Sequence, residues 1–277
     1  MTELLIVGAL AIDHFPDGRA VPGGSVLHAG KAAVAEGATP TFLTVAGGEP
    51  EAREGLARLA TMGNLLHQPA AQTVTYRHEE RAGRRLLVYE AATEPIAVPG
   101  DLAAPEVVLL APIADELAPR SASALQRSLR PRCMVMLAQG WLRRLDLGAA
   151  VRPMPLAGVP DELWSAFGRA DAVVASTEDL SDAPEDPLSQ AAALRARVGE
   201  APILVLTLGT DGYLLDDPAD RPVRSTPPRV VENVPTVGAG DMFGAAFALL
   251  LARGAGAERA ALAATATVIR VLEERAG

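Results

Sequence analysis

The residues best placed to do chemistry stand together late in the chain. Pro235-Thr236-Val237-Gly238-Ala239-Gly240-Asp241 runs directly into the apolar, alanine-rich stretch Met242–Leu251. That stretch has good helix propensity. Its first turn carries unpaired backbone N–H groups and the positive end of the helix dipole, a place for an anion and above all a phosphate. A carboxylate beside such a cradle is electrostatically unfavourable unless it handles a proton. Asp241 therefore reads as a base that takes the proton of an attacking hydroxyl, and the chemistry as phosphoryl transfer. The rest of the chain must then supply an acceptor pocket and a nucleotide pocket.

Several polar residues sit where such pockets form. Residues 3–9 read as a buried strand ending in Gly8, and ligands of open α/β sheets bind beyond the carboxyl ends of strands. Asp13 follows closely, either accepting hydrogen bonds from a polyhydroxylated ligand or standing as a solvated loop residue. Gly23-Gly24 open a helix, with His28 one turn inside as a substrate contact or a structural histidine. The strand over 132–137 ends in Ala138-Gln139-Gly140-Trp141-Leu142-Arg143. Gln139 and Arg143 suit hydroxyl or phosphate contacts there, with local capping as the alternative. Ser176 and Asp179 follow a strand over 172–175 and have the spacing of an acidic capping box.

The elements that must carry these residues alternate. Strands are expected at 3–9, 40–46, 65–67, 106–110, 132–137, 172–175 and 203–206. Helices are expected after Gly24 and over 51–62, 117–129, 161–168, 188–198 and 257–274. Residues 213–216 and 223–225 read as a hairpin at a sheet edge. This pattern predicts an α/β fold with a doubly wound, mostly parallel sheet. Thr73–Glu80 and Arg84–Glu90, joined by Arg81-Ala82-Gly83, form a polar hairpin signature that does not fit such a sheet. It reads as a lid or interface sheet, with residues 14–22 as a turn or small excursion.

Composition bounds the alternatives. The chain has 277 residues, 49% of them hydrophobic, which suffices for one large α/β domain. The net charge of −9 and the lack of a basic run argue against nucleic-acid binding. Lys31 is the only lysine, so a lysine Schiff base or Walker-type phosphate lysine is excluded unless Lys31 serves. Cys133 is the only cysteine, in an apolar strand, which rules out an intrachain disulfide or a zinc cluster. No signal peptide or stretch long enough to span a membrane is read, so a cytoplasmic location is expected. The dinucleotide fingerprint G-x-G-x-x-G is absent after the first strand, and so is the Walker G-x-x-x-x-G-K-[ST]. An oxidoreductase on a Rossmann sheet is thereby disfavoured.

Gly238-Ala239-Gly240-Asp241, the preceding Thr207-x-Gly209-x-x-Gly212 and the early Gly23-Gly24 pair after an aspartate occur in a fixed order. Together they resemble the PfkB (ribokinase-like) carbohydrate kinase family over nearly the whole chain. The resemblance implies a single ribokinase-like α/β domain over 1–277 with a small β lid, formed by roughly 14–22 and 73–91. It implies an ATP- and Mg²⁺-dependent kinase acting on a hydroxyl of a sugar, polyol or nucleoside. Asp241 would be the catalytic base, and Gly238, Ala239 and Gly240 the anion hole. Asp13, Gly23, Gly24 and His28 would bind the acceptor. Ser176, Thr207, Gly209, Gly212 and Thr236 would bind the nucleotide, and Asp179 would reach Mg²⁺ through water. Pro235 replaces an aspartate that helps many members bind K⁺, which counts against K⁺ activation. The family often has asparagine at His28, and N-x-x-E where Ser176 and Asp179 stand. Thr73–Tyr76, Leu109–Ile113 and Gln139–Arg143 are similar to a branch containing myo-inositol kinases. A catalytically silent polyol- or nucleotide-binding sensor and a nucleoside kinase are the competing functions. The lid edges offer a surface for a homodimer.

Overall fold

The computed structural model describes residues 2–81, 84–180, 186–232 and 234–276. Along the chain come β1 (Leu4–Val7), β2 (Ala11–His14), β3 (Ala20–Gly23), α1 (Ser25–Ala35), β4 (Thr41–Ala46), α2 (Pro50–Met62), β5 (Asn64–Pro69), β6 (Val74–Arg81), β7 (Arg84–Ala91) and β8 (Val107–Leu110). There follow α3 (Pro119–Leu129), β9 (Cys133–Leu137), β10 (Arg143–Arg144), β11 (Arg152–Pro153), α4 (Asp161–Phe167), β12 (Ala172–Ser176) and α5 (Pro187–Val198). The last elements are β13 (Ile203–Thr207), β14 (Tyr213–Asp216), β15 (Val223–Ser225), α6 (Ala239–Ala252) and α7 (Ala257–Ala276). No helix among the described residues is long and apolar enough to cross a membrane.

Nine strands form the main sheet in the order β15-β14-β13-β12-β9-β8-β1-β4-β5. All neighbours from β13 to β5 pair in parallel, and the β13–β14–β15 edge is antiparallel. The central strands β1 and β8 are apolar and buried at every position, as a sheet covered on both faces requires. Leu4 and Ile6 of β1 pack with α1, α6 and α7, while Leu5 and Val7 pack with α3, α4 and α5. Helix α6 is apolar nearly all round and buried along its length, which makes it the central helix of its layer. It approaches β9 closely at Gly244, where a Cβ would overlap the Leu137 side chain.

The hairpin that does not suit the main sheet builds a second one. Four strands pair in the order β3-β2-β6-β7, with β2 parallel to β6 and the other pairs antiparallel. The segment read as a turn over 14–22 contributes more than expected, because β2 and β3 are strands of this sheet. The expected turn at Arg81-Ala82-Gly83 lies, beyond Arg81, outside the described residues.

From β1 the chain moves outward through β4 and β5, then returns to β8 on the other side. The switch point of the sheet is therefore between β1 and β8, where an open α/β sheet forms its crevice. Glu116 ties the two exit loops together there. Its buried carboxylate accepts the N–H groups of Ala9 (2.9 Å), Ile113 (2.9 Å) and Ala114 (2.8 Å). Ser25 Oγ donates to the Ala111 carbonyl, and Tyr76 OH donates to that of Ile113 at 2.5 Å. These bonds seat α1 and the small sheet over the crevice. Replacing Glu116 by alanine leaves three buried donors unpaired and is expected to cost about 3 kcal/mol or more, with E116Q costing less. Denaturant unfolding of the two variants beside wild type checks this.

Candidate active site

Two cavities open at the carboxyl ends of the central strands, and they meet at Asp241. One, of about 380 Å³, is lined by Ser176, Thr207, Gly209, Gly212 and the start of α6. The other, of about 500 Å³, lies under the small sheet and is lined by Asp13, Gly24, Ser25, His28, Tyr76 and His78. Gln139, Arg143, Glu178, Asp179, Thr236, Gly238 and Asp241 border both. The residues expected to bind a nucleotide thus fall in the first cavity and most of those expected to bind an acceptor fall in the second.

The start of α6 is set by a turn. Ala239 N–H donates to the Thr236 carbonyl at 3.0 Å, and Gly238 has φ 78° and ψ 9°. Those angles match the third position of a type II turn, which glycine adopts without steric cost. The His28 ring also packs where a Cβ of residue 238 would lie. One expectation is thereby narrowed. The Ala239 amide is occupied within the turn, so Gly240 and Asp241 are the helix-start amides without an intrachain acceptor among the described residues. Gly240 faces open space. The first backbone bond of the helix is Met242 N–H to the Gly238 carbonyl, at 2.9 Å.

Asp241 is 7% exposed. Gln139 Nε2 donates to its Oδ1 at 2.8 Å, and Arg143 Nη2 donates to Gln139 Oε1 at 3.2 Å. The sequence left Gln139 and Arg143 between ligand contact and local capping. In the structure both border the two cavities, and they form a chain of hydrogen bonds that ends on the aspartate. Burial pushes the Asp241 carboxyl up to about 7, and neighbouring Asp179 adds to this. Arg143 and the Gln139 hydrogen bond act in the opposite direction.

Asp179 and Ser176 form the capping box that their spacing suggests. Ser176 N–H donates to Asp179 Oδ2 at 3.0 Å, and Glu178 N–H donates to Ser176 Oγ at 3.3 Å. Asp179 Oδ1 lies 3.6 Å from Arg143 Nε. Burial raises the Asp179 carboxyl, offset chiefly by Arg143. Among the described residues no cluster of three or more His, Cys, Asp or Glu side chains is arranged to hold a metal. Thr207 Oγ1 donates to the Ala175 carbonyl at 3.2 Å. The loop beyond it closes by Leu208 N–H to the Gly212 carbonyl at 2.8 Å.

On the other side, Asp13 lies in β2 and is buried, so it is not a solvated loop residue. His78 Nε2 is 2.8 Å from its Oδ1, and the His78 ring stacks on Phe15 at 4.5 Å. Gly23 does not line the cavity. It makes room for Asp13, whose carboxylate a Cβ at residue 23 would overlap. His28 lines the cavity, but its Nδ1 lies 3.1 Å from Arg275 Nη2. An arginine can only donate, so Nδ1 accepts and His28 is neutral. Burial, with Arg275 and Lys31 nearby, holds its pKa down at about 3.

Three residues that shape the site were not singled out by the sequence. Arg275 lies one residue past the helix expected over 257–274. Glu116 lies between the strand expected over 106–110 and the helix over 117–129. Only His78 had a trace, since period-two alternation puts it on the same face of β6 as Tyr76.

The mostly parallel sheet, its covering helices and the small four-stranded sheet define a ribokinase-like α/β fold. A pyrophosphate-dependent kinase of the ribokinase family, solved with a pyrophosphate analog and myo-inositol, superposes with a TM-score of 0.76 at 17% identity, covering 96% of this chain and 93% of that one. Arabidopsis thaliana ribokinase, complexed with ribose and ATP, gives 0.72 at 17% identity over 97% and 92%. Vibrio cholerae fructokinase, bound to fructose, ADP and calcium, gives 0.72 at 18% over 97% and 90%. No curated protein matches the sequence. The pfkB family carbohydrate kinase model matches residues 150–275, which contain Ser176–Asp179, Thr207–Gly212 and Gly238–Asp241. The resemblance drawn from the motifs is supported over that part of the chain.

The raised carboxyl of Asp241 has a consequence for stability. The folded state holds this proton more tightly than the unfolded chain, whose aspartate ionises near 3.8. The contribution is therefore fully present below about 4 and is lost as pH rises through about 7, at up to roughly 1.4 kcal/mol per pH unit. In D241N that loss disappears, so the variant is expected to be more stable than wild type above pH 7. Melting temperatures of both proteins from pH 4 to pH 8 test it.

Proposed function

We propose that the protein transfers the γ-phosphoryl group of ATP to a hydroxyl of a small polyol or sugar. The observation that carries this reading is the meeting of two cavities at the buried Asp241, on the first turn of α6. The cavity under the small sheet takes the acceptor. Asp13, held by His78, accepts hydrogen bonds from its hydroxyls, as the polar lining there favours. The small sheet serves as a lid, excluding water so that the donor is not hydrolysed.

The other cavity takes the donor. Val231, Val268, Ile269 and Leu272 give it an apolar wall, which favours a donor carrying a nucleobase over bare pyrophosphate. The Gly240 and Asp241 amides and the helix dipole stabilise charge developing on the transferring group. Asp241 Oδ1 is held by Gln139, which aims the carboxylate at the junction where the acceptor hydroxyl arrives. Oδ2 is then available to receive its proton. Mg²⁺ supplies charge neutralisation on the donor phosphates when bound. Asp179 and Glu178, the carboxylates that border the donor cavity beside Asp241, would suit a magnesium that keeps most of its ligands as phosphate oxygens and water. Asp179, already capping Ser176, would act through water.

ADP release from ATP, and phosphate release from pyrophosphate, measured over a panel of polyols, sugars and nucleosides, test the reading. Turnover is expected with ATP and at least one polyol or sugar. Stabilisation by a ligand without turnover would favour a binding protein. With the acceptor found, D241N is expected to lower kcat at least about a hundredfold while ADP still binds. For wild type, kcat/KM is expected to rise with pH through about 7 and to level off above it, as the base ionises. Near-normal turnover in D241N would remove Asp241 from that role.

A further inference from the structure

The turn that opens α6 is gripped from behind by the far end of the chain. Arg275, in the last turn of α7, sends Nη1 to the carbonyl of Val237 at 3.0 Å and to that of Pro235 at 3.5 Å. Its Nη2 reaches His28 Nδ1 at 3.1 Å and Met242 Sδ at 3.5 Å. The guanidinium is half-buried, and its Nε is buried with no partner among the described residues. Unpaired buried donors are unfavourable. The side chain is therefore held in this position by its other contacts.

The Val237 carbonyl belongs to the central peptide of the type II turn. That peptide is the part which rotates when such a turn changes type, and rotation takes the glycine at the third position out of positive φ. A carbonyl fixed on a guanidinium cannot rotate. In a trans peptide the N–H points opposite to the C=O, so the Gly238 N–H faces away from Arg275, and Gly238 borders both cavities. On the other flank of Gly238 lies the His28 ring, itself bonded to the same guanidinium. One side chain thus sets both the peptide and the ring that packs against it.

We infer that Arg275 is a positioning residue that locks the 237–238 peptide, so that the amides at the start of α6 converge on the anion. It also adds a permanent positive charge behind the cradle, reinforcing the helix dipole. A guanidinium on the Pro235 and Val237 carbonyls further repels a monovalent cation from them. The inference rests on the kinase reading only for the identity of that anion, so inorganic pyrophosphate serves as a probe independent of turnover.

Calorimetric titration of pyrophosphate into the full-length wild type, R275Q and R275K tests it. R275Q is expected to bind tenfold or more weakly, given the strength of charge-assisted hydrogen bonds. R275K, a point charge that cannot span both carbonyls, is expected to fall between. Low guanidinium chloride is expected to restore binding to R275Q, with sodium chloride at the same ionic strength having no such effect. Binding by R275Q within twofold of wild type, a loss that guanidinium does not restore, or no binding by wild type would each overturn the inference. Should R275Q lose its native circular dichroism, R275K decides: wild-type affinity overturns, intermediate affinity supports. Absence of turnover with every acceptor, with these differences intact, would remove the kinase reading and leave the role of Arg275 standing.

Discussion

A carboxylate taken out of water costs several kcal/mol unless dipoles or charges replace its hydration. Asp241 is in that position, at the mouth of two cavities and nearly without solvent contact. The replacements arrive from separate parts of the chain. The start of α6 supplies dipole, Gln139 a hydrogen bond, and Arg143 a charge shared with Asp179. The balance leaves the group near neutrality, which is where a proton acceptor is most useful. The sheet topology serves the same end, because its switch point brings β1, β8 and β9 to the crevice that this aspartate closes.

A similar economy runs through the supporting polar groups. Glu116 ties the exit loops of β1 and β8 by three backbone N–H groups. Arg275 ties the turn before α6 by two carbonyls. Each is a buried or half-buried charge spent on backbone atoms, and each fixes a loop that lines the cavities. Loops with such anchors hold geometry without the regular ladders of a sheet. His78 does for Asp13 what Gln139 does for Asp241, fixing one carboxylate oxygen.

The elements were largely legible because their signals are local. Buried apolar runs such as Leu4–Val7 and Val107–Leu110 could only be strands of a sheet covered on both faces. The glycine turn before Asp241 and the capping box at Ser176–Asp179 depend on neighbours within four residues. The extent of the small sheet was less legible. Ala11–His14 and Ala20–Gly23 are only four residues each, too short for a pattern to mark them as strands of a second sheet with β6.

Sequence alone therefore determined the fold class, the glycine turn before α6 and the identity of the candidate base, since spacing and residue type fix those. Tertiary structure decided which groups converge on them. Asp13 and His78 are 65 residues apart, Gln139 and Asp241 are 102 apart, and His28 and Arg275 are 247 apart. No periodicity links such positions, because contact between them is set by chain reversal and sheet order. The same cause refined the opening of α6. The guanidinium that grips Val237 reaches it only once α7 has packed against α6.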